Sequence, residues 1–306
     1  MVLSPITRRL PVARARGCRP DRLARGASPR KGNLGSDFLV LTSAIIPIRA
    51  IADYHVRILL LSDMHANLEA LDACLEQAPE HDLVVNLGDV VGYGASPNEV
   101  VERSRQLGKI IVRGNHDKAA SGISTMEDFN PIAGMAIIWT RTVLRKENMD
   151  WLRALPQGPA SLDGVEGVRL VHGSPHDEDE YLILVPEALR SLAEAESPLT
   201  FFGHTHIQGG FFAGTDDAAA IHPVYNSHGA SEKFLFKLRK GLRYLINPGS
   251  VGQPRDGDWR AAFALFDTEA YTVTYHRVKY DVAAAQQRII AADLPERLAT
   301  RLAQGR

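Results

Sequence analysis

Five times along this 306-residue chain a short apolar run stops at a cluster of Asp, His or Asn: "LLLSDMH", "VVNLGDVVG", "IIVRGNHD", "VRLVHGSP" and "TFFGHTH". A strand that only had to turn would end in Gly or Pro, so this repeated choice needs another reason. Between the runs the apolar period alternates. It predicts a strand over 57–62, a helix over 67–78, a strand over 83–87, a helix over 97–107 and a strand over 109–113. A βαβαβ opening of this kind predicts an α/β fold. In open α/β sheets the carboxyl ends of the strands converge on one crevice. Asp63, His65, Asp89, Asn115, His116, His172, His204 and His206 are therefore expected in one neighbourhood.

Further along, Asn130 and Pro131 start a helical stretch that ends at Pro156 and reads as two helices. Ser96, Pro97 and Glu99 predict a capping box at the preceding helix. Strands are expected near 168–172, 199–202, 209–213, 242–246, 260–266 and 271–278, followed by helical sequence to the C-terminus.

Imidazole nitrogens with carboxylate and amide oxygens, and no thiolate, suit Mn²⁺, Fe or Zn²⁺ at five or six coordination. Eight such groups are too many for one tetrahedral ion. In an extended segment residues i and i+2 point to the same side, so "DMH" and "HTH" would each set two ligands side by side. Gly88, Gly114 and Gly203 precede ligand candidates, where they allow close backbone approach or positive φ. Any one of these motifs alone is an ordinary turn or polar pair. Together, in this order, they read as two metals bridged by one carboxylate. No Walker A loop, Gly-x-Ser-x-Gly elbow or dinucleotide fingerprint competes for the chemistry. His55, His81, His222, His228 and His276 stand singly and take surface or hydrogen-bonding roles by default. His176 is four residues from His172, beside an acidic loop "DEDEY" read first as solvated, with framing of the substrate entrance as the alternative.

Composition excludes several classes. With 45% hydrophobic and 23% charged residues the chain is globular. Residues 1–55 hold ten Lys/Arg against three Asp/Glu, so 56–306 carry −8 of the net −1 and an extended nucleic-acid surface is not expected. The two cysteines, Cys18 and Cys74, do not make a disulfide framework, which points to a reducing, cytoplasmic setting. "FLVLTSAIIPI" is too short to span a bilayer, which takes about 20 residues. The Arg-rich leader 1–55 reads as disordered. It could be a targeting or nucleic-acid-binding arm or a true extension. The favoured reading is upstream sequence included by a mis-called start, with Val56 as the initiator and 56–306 as a single domain.

With those motifs in place, Asp63-x-His65, Gly88-Asp89, Gly114-Asn115-His116-Asp117, His172 and Gly203-His204-Thr205-His206 resemble the five motifs of the calcineurin-like metallophosphoesterase superfamily. The resemblance spans about 56–280. "SDMHAN", "GDVVGYG", "HGSP" and "NPGSVGQPRDGD" are similar to its small bacterial and archaeal phosphoesterases, a group that also includes a retromer scaffold subunit and diadenosine tetraphosphate hydrolases. It implies a two-sheet β-sandwich flanked by helices, a four-layer α/β/β/α fold. It also implies two divalent metal ions, with Mn²⁺ favoured and Fe, Zn²⁺ or Ni²⁺ compatible. Asp63, His65, Asp89 and His206 would hold one ion. Asp89 would bridge to the second, held with Asn115, His172 and His204. His116 would face the substrate as general acid with Asp117 orienting it, while a bridging hydroxide attacks phosphorus.

Asn67, Tyr93 and Arg255, with Gln253, are expected around the substrate, although the Gly/Pro-rich turn carrying the last two reads first as structural. The implied activity is hydrolysis of a phosphomonoester or phosphodiester, with a nucleotide or other small phosphate ester as substrate. Diadenosine tetraphosphate hydrolysis and protein phosphatase activity are alternatives. A non-catalytic scaffold is the alternative of another class.

Overall fold

The computed structural model describes residues 55–108, 110–215, 217–227 and 229–306; the leader expected over 1–55, apart from His55, and His228 lie outside the described residues. β1 (Arg57–Leu61) is apolar at nearly every position because both of its faces are buried. Ile58 and Leu60 point into one core and Leu59 and Leu61 into another. Full burial of a Leu or Ile side chain contributes roughly 1.5–3 kcal/mol, so the strand is fixed from both sides.

The chain runs on through α1 (Leu68–Gln77), β2 (Leu83–Asn86), α2 (Pro97–Leu107), α3 (Asn115–Ser121), α4 (Pro131–Val143) and α5 (Lys146–Arg153). It continues with β3 (Ala160–Leu162), β4 (Val165–Leu170), α6 (Val185–Glu194), β5 (Leu199–Phe201), β6 (Gly209–Ala213), β7 (Ala218–Ile221) and β8 (Glu232–Lys237). It closes with β9 (Arg243–Asn247), β10 (Ala261–Asp267), β11 (Thr272–Val278), α7 (Val282–Ala291) and α8 (Glu296–Leu302). One sheet has the order β2-β1-β10-β11-β8 and the other β3-β4-β5-β9-β6-β7. β1 and β2 are parallel, as are β4, β5 and β9, and the other pairings are antiparallel.

Ile58, Leu60 and Val85 from the first sheet meet Leu170, Phe201 and Ile246 from the second in the inter-sheet core. Leu59 and Leu61 pack outward with α1, α2, α4, α5, α7 and α8, while Phe202, Phe211 and Leu245 pack under α6. Helices, sheet, sheet and helix form the expected α/β/β/α layers. No helix among the described residues is long and apolar enough to cross a membrane.

Several local expectations change. Of the strand expected over 109–113, the described residues 110–113 form none; Ile111 makes only an isolated parallel bridge to Asn86, because β2 stops at Asn86 and the chain turns at Gly88 into the site. Ser96 caps α2 without a side-chain hydrogen bond, so the capping box does not form, while Asn130 caps α4 by accepting from Ala133 N–H at 3.0 Å. The strand expected near 168–172 begins at Val165 and pairs with β3 across Asp163-Gly164, a sequence favoured in tight hairpins. α3, α6, β3, β7 and β8 were not expected from the sequence.

Candidate metal centre

The polar residues that end the apolar runs sit in the turns following β1, β2, β4 and β5 and in the loop leading into α3. Asp63, His65, Asp89, Tyr93, His204 and His206 all have positive φ, between 46° and 66°. For a residue with a side chain this conformation costs of order 1–3 kcal/mol, so several turns here are held strained by their surroundings. "DMH" and "HTH" are consequently not extended; Asp63 and His65 still present their ligand atoms to one group, as expected, whereas His204 and His206 go to different groups.

The glycines serve mainly for close approach. A Cβ on Gly114 would stand 2.0 Å from Asp89 Oδ1, and one on Gly203 would stand 2.1 Å from Ser62 Oγ. Gly88 does both, with φ +95° and Gly114 N only 2.6 Å from where its Cβ would be.

Two overlapping groups of side chains result. Asp63, His65, Asp89 and His206 present ligand atoms within 4.8 Å of one another, and so do Asp89, His172 and His204. All are buried, and Asp89 belongs to both groups. His172 Nε2 and His65 Nε2 each lie 3.5 Å from Asp89 Oδ2, and His206 Nε2 lies 3.4 Å from Asp63 Oδ1. Asn115 opens α3 between Gly114 and His116, and the His116 N–H donates to Asp89 Oδ1 at 2.9 Å.

Backbone carbonyls set the imidazole orientations. His65, His172 and His206 donate from Nδ1 to the carbonyls of Val91, Leu87 and Gln253 at 3.1, 2.7 and 2.6 Å. A carbonyl only accepts, so these Nδ1 atoms carry the hydrogen, and in the neutral rings Nε2 is a lone pair aimed at the centre. His204 is reversed. Its Nε2 donates to the Asp179 carbonyl at 3.0 Å, which leaves Nδ1 as its ligand atom.

These features test whether cations fit. His65 Nε2 and His206 Nε2 face each other at 3.0 Å, an opposition of two lone pairs that a shared cation relieves. Asp89 Oδ2, Asn115 Oδ1 and His172 Nε2 are buried without a hydrogen-bond partner, and buried polar atoms of this kind are ordinarily satisfied. The donor set is nitrogen and oxygen only, as divalent transition ions take it. Two groups with one shared carboxylate fit two such ions.

The electrostatics agree. Burial lowers the pKa of His65 and His206 well below the usual imidazole range and takes His204 down to about 3, so these rings are neutral ligands. Burial and the neighbouring Asp89 raise Asp63 to about 7 despite the opposing effect of His172. At His172 burial is outweighed by Asp89, and the ring is pushed up to about 10. The same attractions outweigh burial at Asp89 and hold it well below the usual carboxylate range.

The remaining candidates divide. His116 lies at the edge of the centre, its ring 4.8 Å from His65 and 4.4 Å from Tyr93, with Nδ1 unpartnered. Asp117 does not orient it. Its carboxylate accepts from the N–H groups of Val90, Val91 and Gly114, because it caps α3 and ties the Asp89 turn to it. Asn67 is similarly committed, accepting from Ala70 N–H at the start of α1 and donating to the Gly252 carbonyl. Arg255 donates to Tyr93 Oη and Gln253 Oε1, at 3.2 and 3.0 Å, and has no carboxylate within ion-pair distance among the described residues.

A cavity of about 280 Å³ opens beside the centre, lined by Asn115, His116, His204, Tyr93, Phe129 and Tyr181 among others. The acidic loop is not simply solvated. Glu178 pairs with Arg113 and Lys118, Asp179 pairs with Lys118, and Tyr181 lies over His204 with ring centres 3.8 Å apart. Tyr181 was missed in the sequence, where only its closeness to "HGSP" could have marked it. Ser62 and Ser250 were missed too; their hydroxyls donate to Asp63 Oδ2 and to the Asp63 carbonyl. His176 pairs with Glu194 on the surface, and His276 stacks on Phe263, both away from the centre.

Known proteins resemble this chain over most of its length. The family model for the calcineurin-like phosphoesterase superfamily domain matches residues 56–271. A metallophosphoesterase from Sphaerobacter thermophilus is 40% identical, with a TM-score of 0.71, covering 83% of this chain and all of its own. An uncharacterized protein of Methanocaldococcus jannaschii is 36% identical over 255 residues, 81% of this chain and 98% of that protein. A hypothetical protein from Pyrococcus horikoshii, 22% identical and covering 82% of this chain and 99% of its own, has the same fold at a TM-score of 0.65.

Proposed function

The chain belongs to the calcineurin-like phosphoesterase superfamily and is a metal-dependent phosphoric ester hydrolase, and on that premise we propose how its residues divide the work. Asp63, His65, Asp89 and His206 hold one divalent ion, and Asp89, Asn115, His172 and His204 hold the second; the donor set suits Mn²⁺, Fe or Zn²⁺, and the family resemblance favours Mn²⁺. The observation that supports this most is the place of Asp89 in both ligand groups, with its Oδ2 lacking any other partner. When bound, such a pair of ions lowers the pKa of water and withdraws charge from phosphoryl oxygens.

The chain's own groups supply the rest. His116 acts at the leaving oxygen. Burial, only partly offset by Asp89, takes its pKa down to about 4, so in the free protein the ring is neutral near pH 7. The neutral ring still carries one N–H, which would donate a hydrogen bond to the oxygen on which charge develops. A positioned donor of this kind contributes roughly 10²–10⁴ in rate.

Arg255 is held by Tyr93 and Gln253, and its charge is felt at Asp63, His65, His116 and His206. It is positioned to take a phosphoryl oxygen, for which a guanidinium fork is well shaped. Phe129 and Tyr181 line the cavity that receives the organic part, and its volume of about 280 Å³ suits a small ester. The substrate is accordingly a small phosphomonoester or phosphodiester.

The test is hydrolysis of p-nitrophenyl phosphate and bis(p-nitrophenyl) phosphate by the manganese-loaded protein. Chelator-sensitive turnover of at least one is expected. Inactivity on both with two ions bound per chain would contradict the assignment.

A further inference from the structure

A second cleft, of about 730 Å³, lies between the start of α4 and the end of the chain, and Arg297, Arg301 and Arg306 line one side of it. Asn130 lines both this cleft and the cavity that contains His116, so the two adjoin. Tyr93 links them as well. The Arg301 guanidinium lies 5.8 Å from the centre of its ring and that of Arg255 lies 5.5 Å from it. A file of cations thus leads away from the metal centre, from Arg255 past Tyr93 to Arg301 and Arg297.

These arginines differ from others on the surface. Arg103, Arg145 and Arg288 pair with Asp72, Glu102 and Glu69. Among the described residues no Asp or Glu pairs with Arg297, Arg301 or Arg306, although residues 56–306 carry a net negative charge. The half-buried Arg301 guanidinium donates from Nε to the terminal carboxylate oxygen of Arg306, which offsets one of the three arginine charges and leaves the cleft positive. Burial and the charges of Arg255 and Arg297 push its pKa down, the mark of a cation held among cations. The opposite wall is Asn130, Pro131 and Ile132, at the N-terminus of the 13-residue α4, where the helix dipole adds positive potential. An anion is the group that satisfies this arrangement.

We propose that Arg301 and Arg297 bind a second phosphate group of the substrate while the phosphate to be cleaved lies at the metal centre. The preferred substrate is then a small phosphoester with two phosphates separated by an organic spacer. This rests on the phosphoesterase assignment above, and the test has one arm that does not.

In the first arm inorganic phosphate is titrated into Asp89→Ala protein, which should not hold ions, followed by calorimetry. Saturable binding is expected, weakened about tenfold or more by adding Arg301→Gln or Arg297→Gln and partly restored by Arg301→Lys. Absent binding, or binding that ignores both arginines, overturns the proposal whether or not the enzyme turns over.

The second arm compares kcat/KM for α,ω-alkanediol bisphosphates of three to eight carbons with the matching monophosphates, using manganese-loaded protein. One spacer length should be preferred about tenfold or more, and that ratio should collapse in the Arg301→Gln and Arg297→Gln variants. If phosphate binds at Arg301 but no bisphosphate is preferred, the cleft serves a separate anion and the proposal fails. Turnover of neither series, with binding intact, would refute the phosphoesterase assignment and leave the anion site standing.

Discussion

Gly92→Ala disturbs His116 without changing any residue assigned to the ions. A Cβ at Gly92 would stand 2.3 Å from His116 Nδ1 and 2.9 Å from its Cγ. Contacts of this kind settle at about 3.5–4.0 Å, so the ring must retreat by roughly 1 Å. Gly92 has φ +94°, which adds of order 1–3 kcal/mol of strain for alanine. A catalytic group misplaced by about 1 Å can cost roughly 10² in rate, within the range that general acid catalysis supplies. The expected result is a kcat on p-nitrophenyl phosphate about 100-fold lower, with manganese content unchanged by mass spectrometry. The defect should grow for phenyl phosphate, whose leaving group needs its proton more. An unchanged kcat would refute the reasoning. So would loss of metal in step with activity, because Val91, next to Gly92, also orients His65.

Asp89→Ala is expected to lose metal and activity together, whereas His116→Ala keeps its metal and loses about 10²-fold or more in turnover; equal metal loss in both would contradict the division of roles. Arg260 is fully buried and bonded through Nε to both Asp258 oxygens at 2.9 and 3.1 Å. Arg260→Ala should cost roughly 3 kcal/mol in denaturant unfolding, at the low end for a broken buried pair because Arg277 remains 3.8 Å from Asp258. His172, pushed up to about 10 beside Asp89, carries a proton at pH 7 that an entering cation must displace. Asp63, raised to about 7, is about half protonated there as well, so filling the centre should release roughly one to two protons per chain at pH 7, and manganese loading should strengthen about tenfold per pH unit between those two values and more steeply below them. Calorimetry in buffers of different ionisation enthalpy measures this, and zero release would refute it.

The sequence showed most of the centre because its chemistry is local. Each group sits directly after an apolar run, and strand ends converge wherever such runs make a sheet. Asp63 and His65, or His204 and His206, could be named from spacing, but their geometry could not. Alternation assumes extended backbone, and these residues occupy the left-handed region because distant hydrogen bonds hold them there, such as Asp63 N–H to the Gly88 carbonyl. Asp117 was misread for a related reason: adjacency to His116 suggested a pair, while one turn of helix directs its carboxylate to the backbone of the Asp89 loop.

Tyr181 over His204, and Arg301 over Tyr93, join segments far apart in sequence with no periodic signal between them. β8 was missed because it is a sheet-edge strand, exposed at alternate residues, with the period of a strand but too little apolar content to stand out.

The central claim is that Asp89 joins two ions in one centre. Electron paramagnetic resonance of the manganese-loaded protein tests it most directly. Two ions sharing the Asp89 carboxylate should give an exchange-coupled spectrum that disappears in Asp89→Ala. An isolated six-line manganese signal at full loading, unaffected by that substitution, would contradict the account.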